Sequence, residues 1–325
     1  MARVSLSDWM STLPVEVLHQ PLNFLAIPGS HDSFTYGITS KSKPSPDGDG
    51  YYITRLLPQF IIGPVLRSWS VTQNVDVADQ LRGGIRYFDL RVCLRINRKG
   101  GKPVHEFFLV HGQFAVQVVE LLKSISNYLH EHPREVVLLD CNHFYNFQSV
   151  AHILEFESMV VEVLGALLYP CQDDVPSLQS MWNHGRRILF FNHLSDSDRE
   201  HFWPGHRMIS LWPNTAHVGS MLHFLDYHYS REKSMRKRNS FYVFQGVLTP
   251  TPSYLCRHLY GGYRRLARMA GEAFEHWLQD PPRFAGPNGV NVAIIDFVIS
   301  DFPGYAWQVI KLNYKTWVPT MYFLP

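Results

Sequence analysis

A (β/α)8 barrel is the fold that this chain predicts, on three observations. Short β-rich runs alternate with longer helical repeats, the pattern of a parallel α/β architecture. Several strand candidates are unbroken apolar runs, among them Val136-Val137-Leu138-Leu139 and Ile188-Leu189-Phe190-Phe191, and strands covered by helices on both faces read that way. Eight such strands, with crossovers between most of them, in 325 residues fit a closed barrel better than an open sheet.

In chain order the strand candidates are Asn23–Ile27, Ile85–Val92, Phe107–Val110, Val136–Asp140, Arg187–Asn192, Met208–Trp212, Phe241–Gln245 and Val292–Phe297. The helices between them show an apolar stripe at i, i+3, i+4, i+7 spacing. The first clear one is Val118, Leu121, Leu122, Ile125, Tyr128 and Leu129, with Pro133 as a stop. The second is Ile153, Phe156, Val160, Val163, Leu164 and Leu167, ended before Pro170. Met221, Leu222 and Leu225 suggest another; Phe274, Trp277 and Leu278 precede the Pro281-Pro282 break; Trp307, Val309, Ile310 and Leu312 close the series. Two stretches interrupt this rhythm. Ser40–Gly50 is rich in Ser, Pro, Gly and charge and reads as a loop inserted after the first strand. Tyr229–Ser240 is basic and polar; attraction to an anionic membrane is one reading, and an ordinary solvated connection is the favoured one. Neither an internal repeat nor a dividing linker is visible, so 1–325 reads as one domain.

Hydrophobic residues make up 46% and charged residues 18%, which provides a core and excludes a disordered chain. A formal charge of +2 is too small for a dedicated nucleic-acid binder. Aromatic residues, at 14%, are expected mostly in the core. Cys93, Cys141, Cys171 and Cys256 lie far apart, with no C-x-x-C pair and no zinc spacing. The start, Met1 to Trp9, lacks the apolar core of a secretory signal, and no run reaches the ~18 apolar residues of a spanning helix. The expectation is a reduced, soluble, cytoplasmic protein.

Barrel chemistry gathers where strands end at the C-terminal face, and ionisable or polar residues punctuate those positions here. His31 and Asp32 follow the first strand. Asp89 and Arg91 end the second, two apart and therefore on one face. His111 ends the third, Asp140 the fourth, Asn192 and His193 the fifth, Trp212 the sixth, Gln245 the seventh and Asp296 the eighth. Two imidazoles, one guanidinium and several carboxylates are the parts of phosphoryl transfer by paired acid and base. One neutral imidazole takes a proton from an attacking hydroxyl while a protonated one supplies the leaving oxygen. A guanidinium holds the non-bridging oxygens and stabilises developing charge, and neighbouring carboxylates fix tautomers and raise imidazole pKa values.

Three ordered motifs carry a resemblance. Pro28-Gly29-Ser30-His31-Asp32-Ser33-Phe34, then Gln80-Leu81-Arg82-Gly83-Gly84-Ile85-Arg86-Tyr87-Phe88-Asp89-Leu90-Arg91, then Val110-His111-Gly112 closely resemble the X region of phosphatidylinositol-specific phospholipase C. The whole chain, an X region without regulatory modules, looks like the vertebrate PI-PLC X domain-containing proteins. The motifs fall within Asn23–His143, the strongest match covers about 23–195, and the likeness runs on to Asp296.

The resemblance implies a distorted TIM barrel and a substrate of phosphatidylinositol or a related inositol phospholipid, met at a membrane surface by peripheral contact. His31 matches the general base that deprotonates the inositol 2-hydroxyl, and His111 the general acid that protonates the leaving diacylglycerol oxygen. An inositol 1,2-cyclic phosphate results, which water then opens. Attack within one ring needs no protein nucleophile. Asp32 and Asp89 would orient Arg91 and His111, and Asp296 would pair with the base. Calcium-dependent members carry a Glu-x-Asp pair where this chain has Asp89-x-Arg91, as in the metal-independent branch. A fixed cation there disfavours calcium, so no metal and no cofactor are expected. At the fourth strand the chain departs from both branches, with Asp140, Asn142 and His143 in place of a lysine or a glutamate. Asp140, Asn192, His193, Trp212 and Gln245 are head-group candidates; the last four rest on strand-end position alone, and packing explains each at least as well.

Two rival readings stand beside this one. A glycerophosphodiester phosphodiesterase shares a barrel and an early His but binds a metal through Glu-x-Asp, which Arg91 argues against. A non-catalytic head-group binder would keep the pocket and lack turnover. Partners beyond the lipid, and the oligomeric state, are open.

Overall fold

The computed structural model describes residues 5–48, 58–194, 197, 200–230, 239–258 and 261–317. Ten strands follow in chain order: β1 Ile27–Ser30, β2 Tyr87–Lys99, β3 Lys102–His111, β4 Gln113–Gln117, β5 Val137–Tyr145, β6 Ile188–Asn192, β7 Trp203–Pro204, β8 Met208–Ser210, β9 Phe241–Gly246 and β10 Val292–Ile295. Eight of them run parallel in the order β7-β6-β5-β2-β1-β10-β9-β8. The ladder ends at β7 and β8, which are consecutive in the chain and separated by the 3-10 turn Gly205–Arg207. The barrel is therefore nearly closed, with a seam at that turn, and the expected α/β barrel is the fold observed.

The helices described are α1 Val15–Leu18, α2 Gln59–Ser70, α3 Val77–Arg82, α4 Val118–Glu131, α5 Val150–Leu164, α6 Leu178–Asn183, α7 Val218–Ser230, α8 Pro252–Arg257, α9 Arg264–Gln279 and α10 Tyr305–Trp317. The stripe read from the sequence is the face that α4 buries: Val118, Leu121, Leu122, Ile125, Tyr128 and Leu129. α5 is capped by Ser149, whose side chain accepts from the His152 N–H, a bond that satisfies one orphan donor of the first turn. β1, β6, β9 and β10 are buried at every residue, and each Leu, Ile or Phe so removed from water contributes about 1.5–3 kcal/mol.

The N-terminal ends of the strands are sealed by charge and an aromatic plug. Arg86, just before β2, pairs with buried Glu135 at 2.7 Å and donates to the carbonyls of Leu81, Ile85 and Ser7. Trp9 is wholly buried and donates from Nε1 to the Gly84 carbonyl at 2.9 Å. That leaves the opposite rim for chemistry.

Six strand expectations need correction. The first strand is Ile27–Ser30, because Asn23 lies in a 3-10 turn and its amide donates to the Ser240 carbonyl. Gly29 lies in this strand because there is no room for a side chain: a Cβ there would stand 2.7 Å from Tyr87 Cδ1 and 2.9 Å from Ile294 Cγ2. Phe107–Val110 belongs to no barrel strand; it runs antiparallel to β2, with Leu109 opposite Val92, so β2, β3 and β4 form a hairpin system beyond the rim. Its place in the barrel is taken by β7, two residues opposite Phe191 and Asn192, too short to show a period. The Met208 and Val292 strands stop early, at Ser210 and Ile295, while β2 and β5 run on to Lys99 and Tyr145. Of the basic connection, Tyr229 and Ser230 end α7 and residues 231–238 lie outside the described residues; the inserted loop is described through Gly48.

Candidate active site

The end of β1 is stitched to β2 by short-range bonds. The Asp32 N–H donates to Asp89 Oδ2 at 3.0 Å, the Asp89 N–H to Ser33 Oγ at 2.9 Å, and the Ser33 N–H to the Asp89 carbonyl at 3.1 Å. Asp32 sits at φ +40, a conformation costly for a residue other than glycine and one that concentrates at functional sites. It turns the chain so that its carboxylate, wholly buried, faces the barrel mouth.

His31 is held from behind. Its Nδ1 pairs with Asp296 Oδ1 at 2.8 Å, and Asp296 Oδ2 accepts from the Tyr263 hydroxyl at 2.7 Å. Its Nε2 faces Asp32 Oδ2 at 3.3 Å and Asp89 Oδ2 at 4.0 Å. His111 enters from the other side, at the end of β3: its Nδ1 donates to the Ser70 carbonyl at 2.7 Å, and its Nε2 stands 3.3 Å from the same Asp32 Oδ2. The two rings lie edge to face, centroids 6.4 Å apart. Arg91 Nε is 2.8 Å from the other oxygen, Asp32 Oδ1. Neither Asp32 oxygen takes an aligned hydrogen bond among the described residues, so charge rather than directed bonding holds the cations around it.

Charge decides the protonation states. Burial pulls the His31 pKa down, but Asp32, Asp296 and Asp89 outweigh it and raise the value to about 9. Burial pushes Asp32 up, and Arg91, His111 and His31 overcome that to hold it at about 2. For Arg91, burial lowers the pKa and Asp32 with Asp89 more than reverses it. Tyr263 is raised well above the usual phenol range by burial and by Asp296, so it remains a donor.

A second arc extends from this cluster. Asp140 accepts from the Tyr87 hydroxyl at 2.7 Å and pairs with His193 Nε2 at 2.8 Å. Asn142 bridges it to the centre, donating from Nδ2 to Asp140 Oδ2 at 3.3 Å and to Asp89 Oδ1 at 2.6 Å. Its Oδ1 meets His143 Nδ1 at 2.6 Å. A register shift places Asn142 outside the pairing, with Cys141 opposite Leu90 and His143 opposite Arg91; bulges of this kind re-aim side chains beside active sites. Burial and the Arg91 charge hold the His143 pKa down.

The structure thus brings together His31, His111, Arg91, Asp32, Asp89 and Asp296, and joins Asp140 and His193 to them through Asn142. Three expected positions spend their side chains on other partners. Asn192 is buried and donates to Glu157 Oε1 at 2.8 Å and Ser197 Oγ at 3.0 Å, a packing role between β6 and α5. Trp212 lies past the end of β8, 51% exposed, with Nε1 donating to Thr249 Oγ1. Gln245 spends its amide on Ser210 Oγ at 2.9 Å. His111 arrives on a hairpin arm rather than a barrel strand. Tyr263 and the Ser70 carbonyl are not legible in the sequence: the tyrosine reads as an ordinary helix-start residue, and a carbonyl has no residue signature.

His31, Asp32 and Asp89 offer three ligand atoms within 4.8 Å of one another, a grouping that by residue type holds a metal. The electrostatics fit one poorly. Arg91 already lies 2.8 Å from Asp32 Oδ1, so a fixed cation shares the carboxylate that a divalent ion would take.

No family model matches the chain. Among curated proteins, mouse PI-PLC X domain-containing protein 2 is 36% identical over 313 residues, covering 94% of this chain and 87% of that one. Human PI-PLC X domain-containing protein 3 is 35% identical over 318 residues, 96% of this chain and 94% of the other. Human PI-PLC X domain-containing protein 1 is 30% identical over 313 residues, at 95% and 92%. Among solved structures, a mutant phosphatidylinositol-specific phospholipase C from Staphylococcus aureus superposes with a TM-score of 0.66 at 16% identity, covering 95% of this chain and 97% of that one. The enzyme of the same name from Listeria monocytogenes gives 0.60 at 19% identity, covering 95% and 99%. These two share the barrel.

Proposed function

The chain belongs to the family of PI-PLC X domain-containing proteins, and from that premise we propose that it is a phosphodiesterase that cleaves phosphatidylinositol by paired-imidazole catalysis without a metal. The observation that carries this reading is the convergence of two imidazole Nε2 atoms, both 3.3 Å from one oxygen of Asp32, with Arg91 at 2.8 Å from the other.

His31 takes the proton of the inositol 2-hydroxyl as that oxygen attacks the adjacent phosphorus. The bond from phosphorus to the glycerol oxygen breaks, and His111 gives its Nε2 proton to the departing diacylglycerol. Both imidazoles have their Nδ1 atoms engaged, by Asp296 and by the Ser70 carbonyl, so Nε2 of each is the nitrogen free to exchange a proton with substrate. Arg91 holds the non-bridging oxygens, and Asp32 and Asp89 hold Arg91 and the two imidazoles in register. Asp296, steadied by Tyr263, fixes the His31 ring and balances its positive charge. In the second step the roles reverse: His111 takes a proton from water as its oxygen attacks phosphorus, the bond from phosphorus to the inositol 2-oxygen breaks, and His31 returns a proton to that oxygen.

Below about pH 9 most of His31 carries a proton in the free protein, so the neutral base is a minority form there. Asp140, His193, Asn142 and His143 form the wall next to this centre and are the groups we assign to the inositol hydroxyls. No helix among the described residues is long and apolar enough to cross a membrane, and contact with the lipid surface is proposed to be peripheral.

The test is turnover of phosphatidylinositol in mixed vesicles, followed by phosphorus NMR, with and without EDTA. A cyclic phosphate signal that appears at the same rate in both supports the reading. Loss of the signal in EDTA overturns its metal-independent part, and no signal in either, with vesicle binding intact, overturns turnover itself.

A further inference from the structure

The sequence reads Ser40–Gly50 as connection only, yet its described part is built against the turn that carries His111. The Ser45 N–H donates to the Gly112 carbonyl at 3.1 Å and the Phe114 N–H to the Lys43 carbonyl at 2.9 Å. Pro44 bridges Gln113 in antiparallel fashion, and the Gln113 side chain donates to the Ser42 carbonyl at 2.7 Å. The segment thus lies as a partial extra strand along the start of β4.

One side chain completes this pairing. Gly112 is the turn residue between β3 and β4, at φ +67, and a Cβ there would lie 2.8 Å from Ser70 Oγ. Its N–H points away from the ladder and donates to Asp47 Oδ2 at 2.8 Å. The other oxygen, Asp47 Oδ1, accepts from Ser45 Oγ. A backbone donor on a carboxylate is shorter and stronger than a neutral bond, and it fixes a left-handed turn one residue from His111. The far side of the clamp is α2, whose last residue, Ser70, receives the His111 Nδ1–H. Gln59 of that helix donates to the Ser40 and Ser42 carbonyls of the same loop.

We propose that Asp47 is a positioning residue: by clamping the Gly112 N–H it holds His111 between the Ser70 carbonyl and Asp32. This rests on the reading of His111 as the general acid. Asp47 also lies near enough to Arg91 and Tyr145 for its charge to act on both, so the test separates geometry from charge. Asp47→Ala removes clamp and charge; Asp47→Asn removes the charge and keeps an oxygen for the Gly112 N–H.

Asp47→Ala is expected to lower kcat about 10- to 100-fold, the cost of roughly an ångström of misplacement, with KM little changed, and Asp47→Asn to recover most of that loss. The readout independent of turnover is the His111 Nδ1–H signal in protein with 15N-labelled histidine. It should persist in the wild type and Asp47→Asn and exchange with water in Asp47→Ala, while the His31 signals stay in place and report an intact fold. If the signal is lost in Asp47→Ala from a protein that never turns over lipid, the clamp stands and only the enzymatic reading falls. A signal unchanged in Asp47→Ala, or Asp47→Asn as impaired as Asp47→Ala, overturns the proposal.

Discussion

Replacing His31 by Gln should flatten the dependence of stability on pH above neutrality. The folded imidazole titrates at about 9, against about 6.5 in an unfolded chain. A histidine whose folded pKa is raised stabilises the fold fully below the unfolded value, and the contribution disappears as pH rises through the folded one. The window is therefore about 6.5 to 9. At 1.36 kcal/mol per unit, the shift corresponds to on the order of 3 kcal/mol. The side chain is 11% exposed, so solvent screens this little. Asp32, Asp296 and Asp89 all contribute, and Asp296 also supplies a hydrogen bond, so Asp296→Asn should move the His31 titration down without abolishing it.

The assay is urea unfolding followed by tryptophan fluorescence at several pH values from 6 to 9.5, with NMR titration of the His31 ring alongside. The comparison with His31→Gln cancels the other groups that titrate there. The reasoning is refuted if wild type and His31→Gln lose stability in parallel, or if the ring titrates near 6.5 in the wild type and in Asp296→Asn alike.

Three other outcomes follow from the same contacts. Arg91→Lys keeps the charge but loses the planar fork, and kcat on phosphatidylinositol vesicles should fall about 10²- to 10³-fold, the size seen when one donor to developing charge is removed. Gly29→Ala places a methyl group 2.7 Å from Tyr87 Cδ1 and 2.9 Å from Ile294 Cγ2; overpacking of this kind costs about 1–3 kcal/mol, visible as a lower urea midpoint. Asp32, held at about 2, stabilises the fold above about pH 4, and this contribution is lost as pH falls toward 2; Asp32→Asn should therefore show a weaker loss of stability between pH 4 and 2 in the same unfolding assay.

The core of the site was legible because each of its groups ends an apolar run or follows one. His31, Asp32, Asp89, Arg91 and Asp296 were all found by that rule, and the buried faces of α4 and α5 by their period. His111 was found by the same rule for the wrong structural reason: its strand pairs antiparallel in a hairpin, since the sequence of Phe107–Val110 is as apolar as a barrel strand and nothing local records the partner. β7 escaped because two residues carry no period. The first strand, expected at Asn23–Ile27, begins at Ile27 and runs through Gly29, where packing by Tyr87 and Ile294 leaves no room for a side chain. Tyr263 and Asp47 were out of reach because each acts through a partner distant in the chain, Asp296 in one case and the Gly112 N–H in the other.

The most direct measurement is a double-mutant cycle on phosphatidylinositol turnover with His31→Ala, His111→Ala and the pair. If both imidazoles serve one phosphorus in one transition state, each single change lowers the rate about 10²- to 10⁴-fold, and the double variant is little worse than either, as for residues that act as a unit. A single variant near the wild-type rate, or losses that multiply in the double variant, would contradict it.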